Sequence, residues 1–203
     1  MRTTTFHKLK DIEVFKQNIL FWSQQFDDVV WLDSNRHKDQ YSSYDAVLAI
    51  DAFTALKTDY FDAFENLKDY YSSTKDWIFG YLTYDLKNTV EKLSSNNFDG
   101  LNFPDLYFFQ PKKLFLFKGD TVEIQYLRMV DDEIGDDLEA INSFVTSGVN
   151  EKSYTSEPVK IKLRIHKDEY FEKVNTMLAH IHRGDIYEAN FCQEFYAEDF
   201  PLQ

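Results

Sequence analysis

The chain contains very little cysteine, glycine or proline: one, six and four residues respectively among 203. A single cysteine cannot form a disulfide within the chain, and it cannot supply the ligands of a cysteine-rich zinc site. The low glycine and proline content argues against a fibrous or loop-rich protein. We therefore expect a compact protein of the reducing cytoplasm, where free thiols persist.

Basic residues are also scarce, because 22 Lys and Arg face 35 Asp and Glu and leave a net charge of −13. Nucleic-acid binding requires clustered cations, so this balance excludes that class of partner. No apolar run approaches the ~20 residues that a membrane-spanning helix needs. The segment Met1–His7 lacks the apolar stretch of a signal peptide. These absences predict a cytoplasmic protein with no membrane partner.

Aromatic residues, in contrast, are abundant at 17%, with 19 Phe and 13 Tyr. They recur with both helical and strand periods, which predicts an α+β fold for residues 1–147. A helix is predicted after the N-cap Asp11, and another over 51–71. Strands are predicted over 29–32, 44–50, 77–84, 106–110, 113–117 and 122–127, with a hairpin turn at 118–121 and an acidic helix over 132–146.

A polar stretch without periodicity, residues 148–158, predicts a linker. Residues 159–203 then predict a strand at 160–164, a helix at 167–183 closed by Gly184, and a strand at 186–196. About 45 residues bury little apolar surface by themselves. We therefore expect either that this part packs on the first or that its domain continues beyond Gln203.

Few residues of the chain match a catalytic pattern. No glycine-rich phosphate loop, His-Glu-x-x-His motif or Gly-x-Ser-x-Gly motif is present. His180 and His182 are two positions apart on the predicted helix, so they point in different directions and favour solvated helix-end residues over a metal pair. Cys192 is predicted as a buried strand cysteine rather than a nucleophile. No metal ligands are predicted.

The segment Gly184–Phe195 is the least generic run in the sequence. If it is a strand, alternation places Glu188, Asn190, Cys192 and Glu194 on one face. Such a face lines a polar cavity or is simply exposed to solvent, and the pattern alone leaves both interpretations open. A second constellation, Ser34 with Tyr41, Ser42, Ser43 and Tyr44, combines hydroxyls and aromatic rings. It predicts either a site for a small amphiphilic ligand or a polar turn with aromatic packing.

The run Gly-Asp-Ile-Tyr-Glu-Ala-Asn-Phe-Cys-Gln-Glu-Phe at 184–195 resembles the Gly-Asp-x-Tyr-Gln-x-Asn-x-x-Gln-x-Phe signature of the chorismate-utilising enzymes. Two further stretches agree in order: 79–86 is similar to the Gly-Tyr-x-x-Tyr-Asp segment, and 32–34 with 41–45 is similar to the Leu-x-Ser and Tyr-Ser-x-Phe-Asp segments. Within the family, the resemblance is closest to component I of aminodeoxychorismate synthase (para-aminobenzoate synthase). Component I of anthranilate synthase comes next.

This resemblance implies an antiparallel-sheet sandwich of the α+β class, with helices outside and chorismate bound between the sheets. It implies that magnesium holds the substrate carboxylate. Ammonia from a glutamine amidotransferase partner (component II) then replaces the ring hydroxyl, giving 4-amino-4-deoxychorismate for folate synthesis. The family's magnesium-binding glutamates and ring-attacking lysine follow the Gly-Asp-x-Tyr motif, so we expect a C-terminally truncated fragment without turnover.

Two site assignments follow from the resemblance. Ser34 and Tyr41, Ser42, Ser43 and Tyr44 match positions that line a tryptophan pocket in the family. The family's Asn-Pro-x-Pro segment, which completes that pocket, lies beyond Gln203, so weak binding is expected. Glu188 replaces the glutamine usual in aminating members, and it is a candidate catalytic residue on the nucleophile side of chorismate, provided that burial raises its pKa. A positioning role is the alternative.

Three hypotheses therefore compete. The first is the N-terminal fragment of a chorismate aminase. The second is a non-catalytic module of the same fold that binds an aromatic amino acid. The third is a member of the anthranilate or isochorismate type. The residue at the position of the ring-attacking lysine separates the first from the third, because threonine or alanine there indicates anthranilate chemistry.

Overall fold

The computed structural model describes residues 1–37, 40–96, 98–144 and 159–198. The chain divides into two compact units, Met1–Ser147 and Gly148–Gln203. The first unit is built on a six-stranded antiparallel sheet in the order β1-β6-β5-β3-β2, with β4 pairing to β5 beyond this path. Its described strands are β1 (Arg2–Lys8), β2 (Val29–Asp33), β3 (Ala46–Thr58), β4 (Phe79–Leu82), β5 (Leu106–Lys118) and β6 (Thr121–Leu127).

Helices connect these strands. They are α1 (Ile12–Ser23), α2 (Ala63–Thr74), the single turn α3 (Lys87–Val90) and α4 (Ile134–Ser143), with 3₁₀ turns at Tyr84–Leu86 and Asp131–Glu133. The second unit contains β7 (Lys162–Leu163), α5 (Lys167–Arg183) and β8 (Phe195–Tyr196), and β7 and β8 pair antiparallel. The predicted α+β class, with antiparallel sheet and helices, is confirmed.

Helix α1 begins where the sequence predicted it. The carboxylate of Asp11 accepts hydrogen bonds from the backbone amides of Glu13 and Val14, both at 3.1 Å, and so satisfies two of the free N–H groups of the first turn. The apolar stripe of α1 packs onto the sheet, where Ile19 is fully buried. Its partners include Phe115 and Phe117 of β5. Burial of this face, rather than helix propensity, fixes the helix on the sheet.

A buried lysine fastens helix α4 to the same core. The Lys113 side chain is 4% exposed, and its Nζ lies 2.5 Å from Asp137 and 2.6 Å from Glu133. The hydroxyl of Tyr126 also donates to Asp137, at 2.7 Å. Burial disfavours the ammonium, but the hydrogen bonds that Lys113 donates to the two carboxylates outweigh this effect and raise the pKa of Lys113. Helix α4, Ile134–Ser143, is shorter at both ends than the helix predicted over 132–146. The described residues do not include Thr146, the predicted cap Gly148 or the predicted linker 148–158.

The helix predicted over 51–71 is wrong in its first part, because β3 continues to Thr58. Apolar residues at 53, 56 and 60 have helical spacing, but β5 lies alongside this segment and supplies cross-strand hydrogen-bond partners from Leu106 onwards. Asp51 adopts φ +59°, and the register shifts between Ala52 and Thr54, which marks a β-bulge. Propensity is overridden by pairing with a strand some fifty positions away.

Strands β5 and β1 also differ from the sequence prediction. β5 is one strand across Pro111, whereas two shorter strands were predicted. β1 was not predicted, because threonines rather than apolar residues fill it. The Arg2 guanidinium of β1 donates to the carbonyls of Pro111 at 2.6 Å and Gln125 at 3.1 Å. Its Nε also donates to Asp76 at 2.9 Å. One buried side chain therefore fastens the edge strand across the proline.

Gly80 lies within β4. A Cβ at this position would lie 1.8 Å from the backbone oxygen of Tyr107 on the neighbouring strand. Only glycine permits this approach of β4 to β5.

In the second unit, α5 has the predicted bounds, but the flanking strands are much shorter than predicted. β7 has two residues instead of the five expected at 160–164. The strand predicted over 186–196 is wrong: only Phe195–Tyr196 pairs, with Lys162–Leu163. None of the 17 residues of α5, all of them described, is buried.

Candidate functional site

A recess of about 490 Å³ lies beside the β2–β3 connection of the first unit. The start of α1, the residues after β2 and the β5–β6 turn form its walls. Its described lining residues are Ile12, Glu13, Lys16, Ser34, Arg36, His37, Ser42, Asp45 and Gly119.

Asp45 holds these walls together. Its backbone oxygen accepts from the Ser34 amide at 2.9 Å, and its own amide donates to Phe117 at 2.8 Å. Its carboxylate accepts from the Gly119 amide at 2.6 Å. Gly119 has φ +57°, a conformation that favours glycine in the hairpin turn. Asp45 belongs to the Tyr-Ser-x-Phe-Asp match, but sequence reasoning gave it no role because its partner Gly119 is 74 residues away.

The base and the rim of the recess differ in charge pairing. At the base, Lys16 donates to Asp33 at 3.0 Å, and the Asn35 amide donates to the same carboxylate at 2.8 Å. Burial alone raises the pKa of Asp33, but these hydrogen bonds reverse its effect and lower it. At the rim, Arg36 lies 3.5 Å from Glu13, and both side chains are largely exposed. Hydroxyls between charges of both signs suit a small zwitterionic ligand.

The five residues predicted to line this pocket do not come together as a group. Ser34 and Ser42 face the recess. Tyr41 is 82% exposed, and Ser43 is also exposed. Tyr44 packs against an apolar cluster that includes Leu114 and Leu116. Of the five predicted residues, the recess therefore brings together the two serines. It is also lined by Glu13 and Lys16 of α1, which the sequence did not single out.

The Gly184–Phe195 segment begins with a helix stop in the second unit. Gly184 has φ +84°, and its amide donates to Ile181 at 3.0 Å, while the Asp185 amide donates to His180 at 3.0 Å. The Asp185 carboxylate lies 2.8 Å from both Arg183 Nε and His180 Nδ1. The hydrogen bonds from Arg183 and then from His180 lower the pKa of Asp185. The Gly-Asp pair therefore ends α5, and His180 has a partner that sequence reasoning missed.

The two glutamates of the segment have different environments. Arg164 donates to Glu194 through Nε at 2.7 Å and Nη2 at 3.2 Å, and this bidentate pair lowers the pKa of Glu194. Gln193 donates to the Ile165 carbonyl at 2.8 Å. Glu188 is exposed, and no described residue makes a hydrogen bond or ion pair with its side chain. The Glu194 carboxylate is thus occupied by its ion pair with Arg164, whereas the Glu188 carboxylate is available to a ligand.

The alternating polar face predicted for this segment does not exist, because residues 186–194 are not a strand. Cys192 is exposed rather than buried, which corrects the prediction made from that pattern. Phe191 packs on Tyr170 at 5.2 Å between ring centroids, and this contact anchors the middle of the segment to α5. Among residues 1–37, 40–96, 98–144 and 159–198, no group of three or more His, Cys, Asp or Glu is placed to hold a metal ion.

The match to a family model decides the classification. The model described as "chorismate binding enzyme" matches residues 18–199, which is most of the chain. The chain belongs to this family. It is also similar to an anthranilate synthase component I-like protein of Synechocystis sp., with 25% identity over 135 residues. That match covers 66% of this chain and 27% of the relative, so the chain spans about a quarter of the relative's length. No helix in the described part of the chain is long and apolar enough to cross a membrane.

Proposed function

We propose that this chain is the N-terminal part of an aminodeoxychorismate synthase component I, which converts chorismate to 4-amino-4-deoxychorismate in the cytoplasm. The observation that carries the proposal is the family match over residues 18–199, together with the Gly-Asp-x-Tyr segment at its C-terminal side. In this reaction ammonia adds to the ring and the ring hydroxyl leaves as water. A glutamine amidotransferase partner supplies the ammonia, and the product is used for folate synthesis.

The Gly184–Phe195 segment forms one wall of the chorismate cleft in this proposal. The helix stop at Asp185 and the Arg164–Glu194 pair fix its two ends, so Glu188 lies between two anchored points. Its carboxylate, which has no hydrogen-bond or ion-pair partner among the described residues, orients the incoming nucleophile, or accepts a proton from it once the rest of the cleft buries Glu188. Magnesium, when bound in the whole enzyme, would neutralise the substrate carboxylate; no group of three or more His, Cys, Asp or Glu among the described residues is placed to hold it.

The recess at Ser34 and Ser42 supports a second role in the same protein, the binding of a free amino acid such as tryptophan. Arg36 offers a cation and His37 a ring nitrogen for a carboxylate, and Glu13 and Asp45 offer anions for an ammonium group. Calorimetry on this chain measures tryptophan binding, and Ser34→Ala and Ser42→Ala are the variants to compare with the wild type. We expect the wild type to bind tryptophan weakly and each variant to bind it more weakly still. Tight binding by the wild type would contradict the expectation that the pocket is incomplete.

Anthranilate synthase component I is the second candidate function, and the name of the Synechocystis relative favours it. Product analysis of the whole protein that contains this chain separates the two. With chorismate, magnesium and ammonium, we expect 4-amino-4-deoxychorismate and no pyruvate. Anthranilate with pyruvate selects the second candidate, and no consumption of chorismate contradicts both. The 203-residue chain alone should show no turnover.

The role of Glu188 is tested in the same protein by Glu188→Gln. If Glu188 transfers a proton, kcat falls about 10²-fold or more, in the range of general acid–base catalysis. Glu172→Gln is the matched control, because Glu172 is an exposed residue of α5 outside the segment. Unchanged kinetics in Glu188→Gln removes Glu188 from the mechanism and leaves it a residue of the wall.

A further inference from the structure

The sheet of the first unit has an apolar edge at β2. In the sheet order β1-β6-β5-β3-β2, the described residues of β2 pair with β3 on one side and with no strand on the other. The strand reads Val-Val-Trp-Leu-Asp, and Leu32 is 55% exposed and Val29 37% exposed. Exposed apolar edges present a template for pairing with a further strand.

The hydrogen bonds that flank β2 show which of its backbone groups point to the free edge. The Asp51 amide donates to Asp28 at 3.1 Å, and the Ser34 amide donates to Asp45 at 2.9 Å. Hydrogen-bonded pairs alternate along an antiparallel ladder, so the even positions 28 to 34 bond to β3. The N–H and C=O groups of the odd positions, Val29, Trp31 and Asp33, therefore point outward.

These outward groups are self-complementary. If a second β2 lies antiparallel with Trp31 opposite its own copy, Val29 faces Asp33 of that copy, and every facing pair consists of outward residues. Such a register closes six backbone hydrogen bonds about a two-fold axis. Val30 then lies beside Leu32 of the other copy, in the closer, non-hydrogen-bonded type of pair.

Charge favours this register. The two-fold arrangement brings the end of one β2, followed by Arg36, next to the beginning of the other, preceded by Asp27. The Arg36 side chain is 84% exposed and is held only by Glu13 at 3.5 Å among its described partners. Asp33, the charged residue within β2, is neutralised by Lys16 of its own chain at 3.0 Å and faces Val29 rather than a like charge. The pairing therefore places no two unscreened like charges opposite each other.

The other edge of the sheet has the opposite character. Strand β1 carries His7 and Lys8 among threonines, and the Lys8 side chain is 79% exposed. Lysines on an edge are a common device against edge-to-edge pairing. Strand β2, in contrast, contains no lysine or arginine.

We propose that β2 is a docking edge for a second copy of this chain, which joins the two sheets into one continuous antiparallel sheet. The interface is independent of the proposed chorismate chemistry, because neither the Gly184–Phe195 segment nor Glu188 takes part. Each copy carries a net charge of −13, so we expect a concentration-dependent equilibrium that added salt shifts toward the dimer.

Sedimentation equilibrium on the 203-residue chain gives the first test. We expect a mass that rises with concentration from 24.1 kDa toward twice that value. Leu32→Lys adds a charge to an exposed position and should weaken dimerisation about tenfold or more. Phe6→Lys, at a 68% exposed position on β1, is the matched control and should leave the equilibrium unchanged. Circular dichroism shows that both variants are folded.

A charge exchange gives the second test. Asp27→Lys places a lysine next to Arg36 of the other copy, and Arg36→Glu places a glutamate next to Asp27, so each variant alone should dimerise more weakly than the wild type. In an equimolar mixture both contacts pair opposite charges, and the mixed dimer should recover. Failure of this recovery, with both variants folded, argues against the two-fold register.

Amide exchange followed by NMR tests the backbone pairing directly. In the dimer, Val29, Trp31 and Asp33 should gain protection, while Val30 and Leu32 are protected in both states by their bonds to β3. A chain that remains monomeric at every accessible concentration overturns the proposal. So does a dimer that is indifferent to Leu32→Lys, since its copies then meet elsewhere, or a protected edge in the monomer, since another segment of the chain then covers it.

Discussion

Both units use arginine–carboxylate pairs, but the pairs lie in different surroundings. Arg2 and Asp76 in the first unit are 7% and 17% exposed. Arg164 and Glu194 in the second unit are 34% and 53% exposed. Arg2 contacts both Asp76 oxygens through Nε alone, whereas Arg164 contacts Glu194 through Nε and Nη2. The shortest contacts of the two pairs are similar, at 2.9 and 2.7 Å. Their energetic consequences should differ, because water competes for the exposed pair and not for the buried one.

The difference in exposure implies that the charged pairs of the two units have different roles. In the first unit, charges are embedded around an apolar core that includes fully buried residues such as Leu48 and Ile124. In the second unit, α5 buries none of its residues, and the described segment after it is held by exposed ion pairs and one aromatic contact. The first unit therefore carries the folding free energy, whereas the pairs of the second unit set the conformation of the Gly184–Phe195 segment.

The largest expected effect comes from Arg2→Met. The substitution keeps an unbranched side chain but removes the Arg2 donor from Asp76 and from the carbonyls of Pro111 and Gln125. Removing one partner of a buried pair costs about 3 kcal/mol or more of unfolding free energy. Urea denaturation followed by tryptophan fluorescence measures it, because Trp22, Trp31 and Trp77 all lie in the first unit.

The control for this variant is Lys8→Met, on the same strand. Lys8 pairs with Asp120, and both side chains are mostly exposed, at 79% and 61%. We expect its urea midpoint to match that of the wild type. Equal losses in the two variants would contradict the assignment of stability to the buried pair.

A second, smaller effect is expected from Gly80→Ala in β4. Its Cβ would meet the Tyr107 carbonyl, so the backbone of β4 must shift away from β5, at a cost of about 1–3 kcal/mol, typical of overpacking. Gly135→Ala is the matched control: it lies in α4, and its Cβ meets nothing within 4 Å. It should stabilise the first unit by about 0.5–1 kcal/mol, because alanine is the better helix former. Destabilisation by both variants would indicate a cause other than the β4–β5 approach.

How far the sequence predicts this fold depends on whether the signal is local. Helix α5 has the predicted bounds because its periodicity and Gly184 lie within one continuous segment. Strand β3 beyond Ile50 was predicted as helix, because only β5, far along the chain, reveals it as a strand. The same limit applies to β1, whose threonines become a strand through pairing with β6.

The candidate sites follow the same division. Ser34 and Ser42 are close in sequence, and both were predicted for the recess that they line. Lys16 and Gly119, from a helix and a distant hairpin, complete it and were not predicted. In the second unit, the alternation of Glu188 and Glu194 suggested a strand that is not present, because two-residue β7 provides a partner for Phe195–Tyr196 only.

The contribution of the buried Asp76 to the free energy of unfolding should depend on pH only in acid. Burial alone raises the pKa of Asp76, but hydrogen bonds from Arg2, from Gln110 and from the Trp77 amide reverse this and lower it below the ordinary value of 3.8. Its contribution to stability is therefore complete above pH 3.8 and is lost as the pH falls through the lower, folded-state pKa. The difference in unfolding free energy between the wild type and Asp76→Asn should be constant at neutral pH and shrink only in strong acid. A difference that already shrinks well above pH 3.8 would contradict the lowered pKa.

The smallest effect on stability is expected from Glu194→Gln in the second unit. The exposed bidentate pair with Arg164 is lost, but no described core residue depends on it, so the tryptophan-detected urea midpoint should match that of the wild type. The Arg164 amide, which donates to the Glu194 carbonyl at 3.1 Å, should exchange faster, because the side-chain pair no longer holds β7 against β8. Under the proposed function, loss of this anchor in the whole protein should raise KM for chorismate more than it lowers kcat, since the proposed wall of the cleft is displaced while Glu188 is retained. A midpoint that falls as far as that of Arg2→Met would show that the exposed pair stabilises the fold as strongly as the buried one, and the distinction between the two units would then be lost.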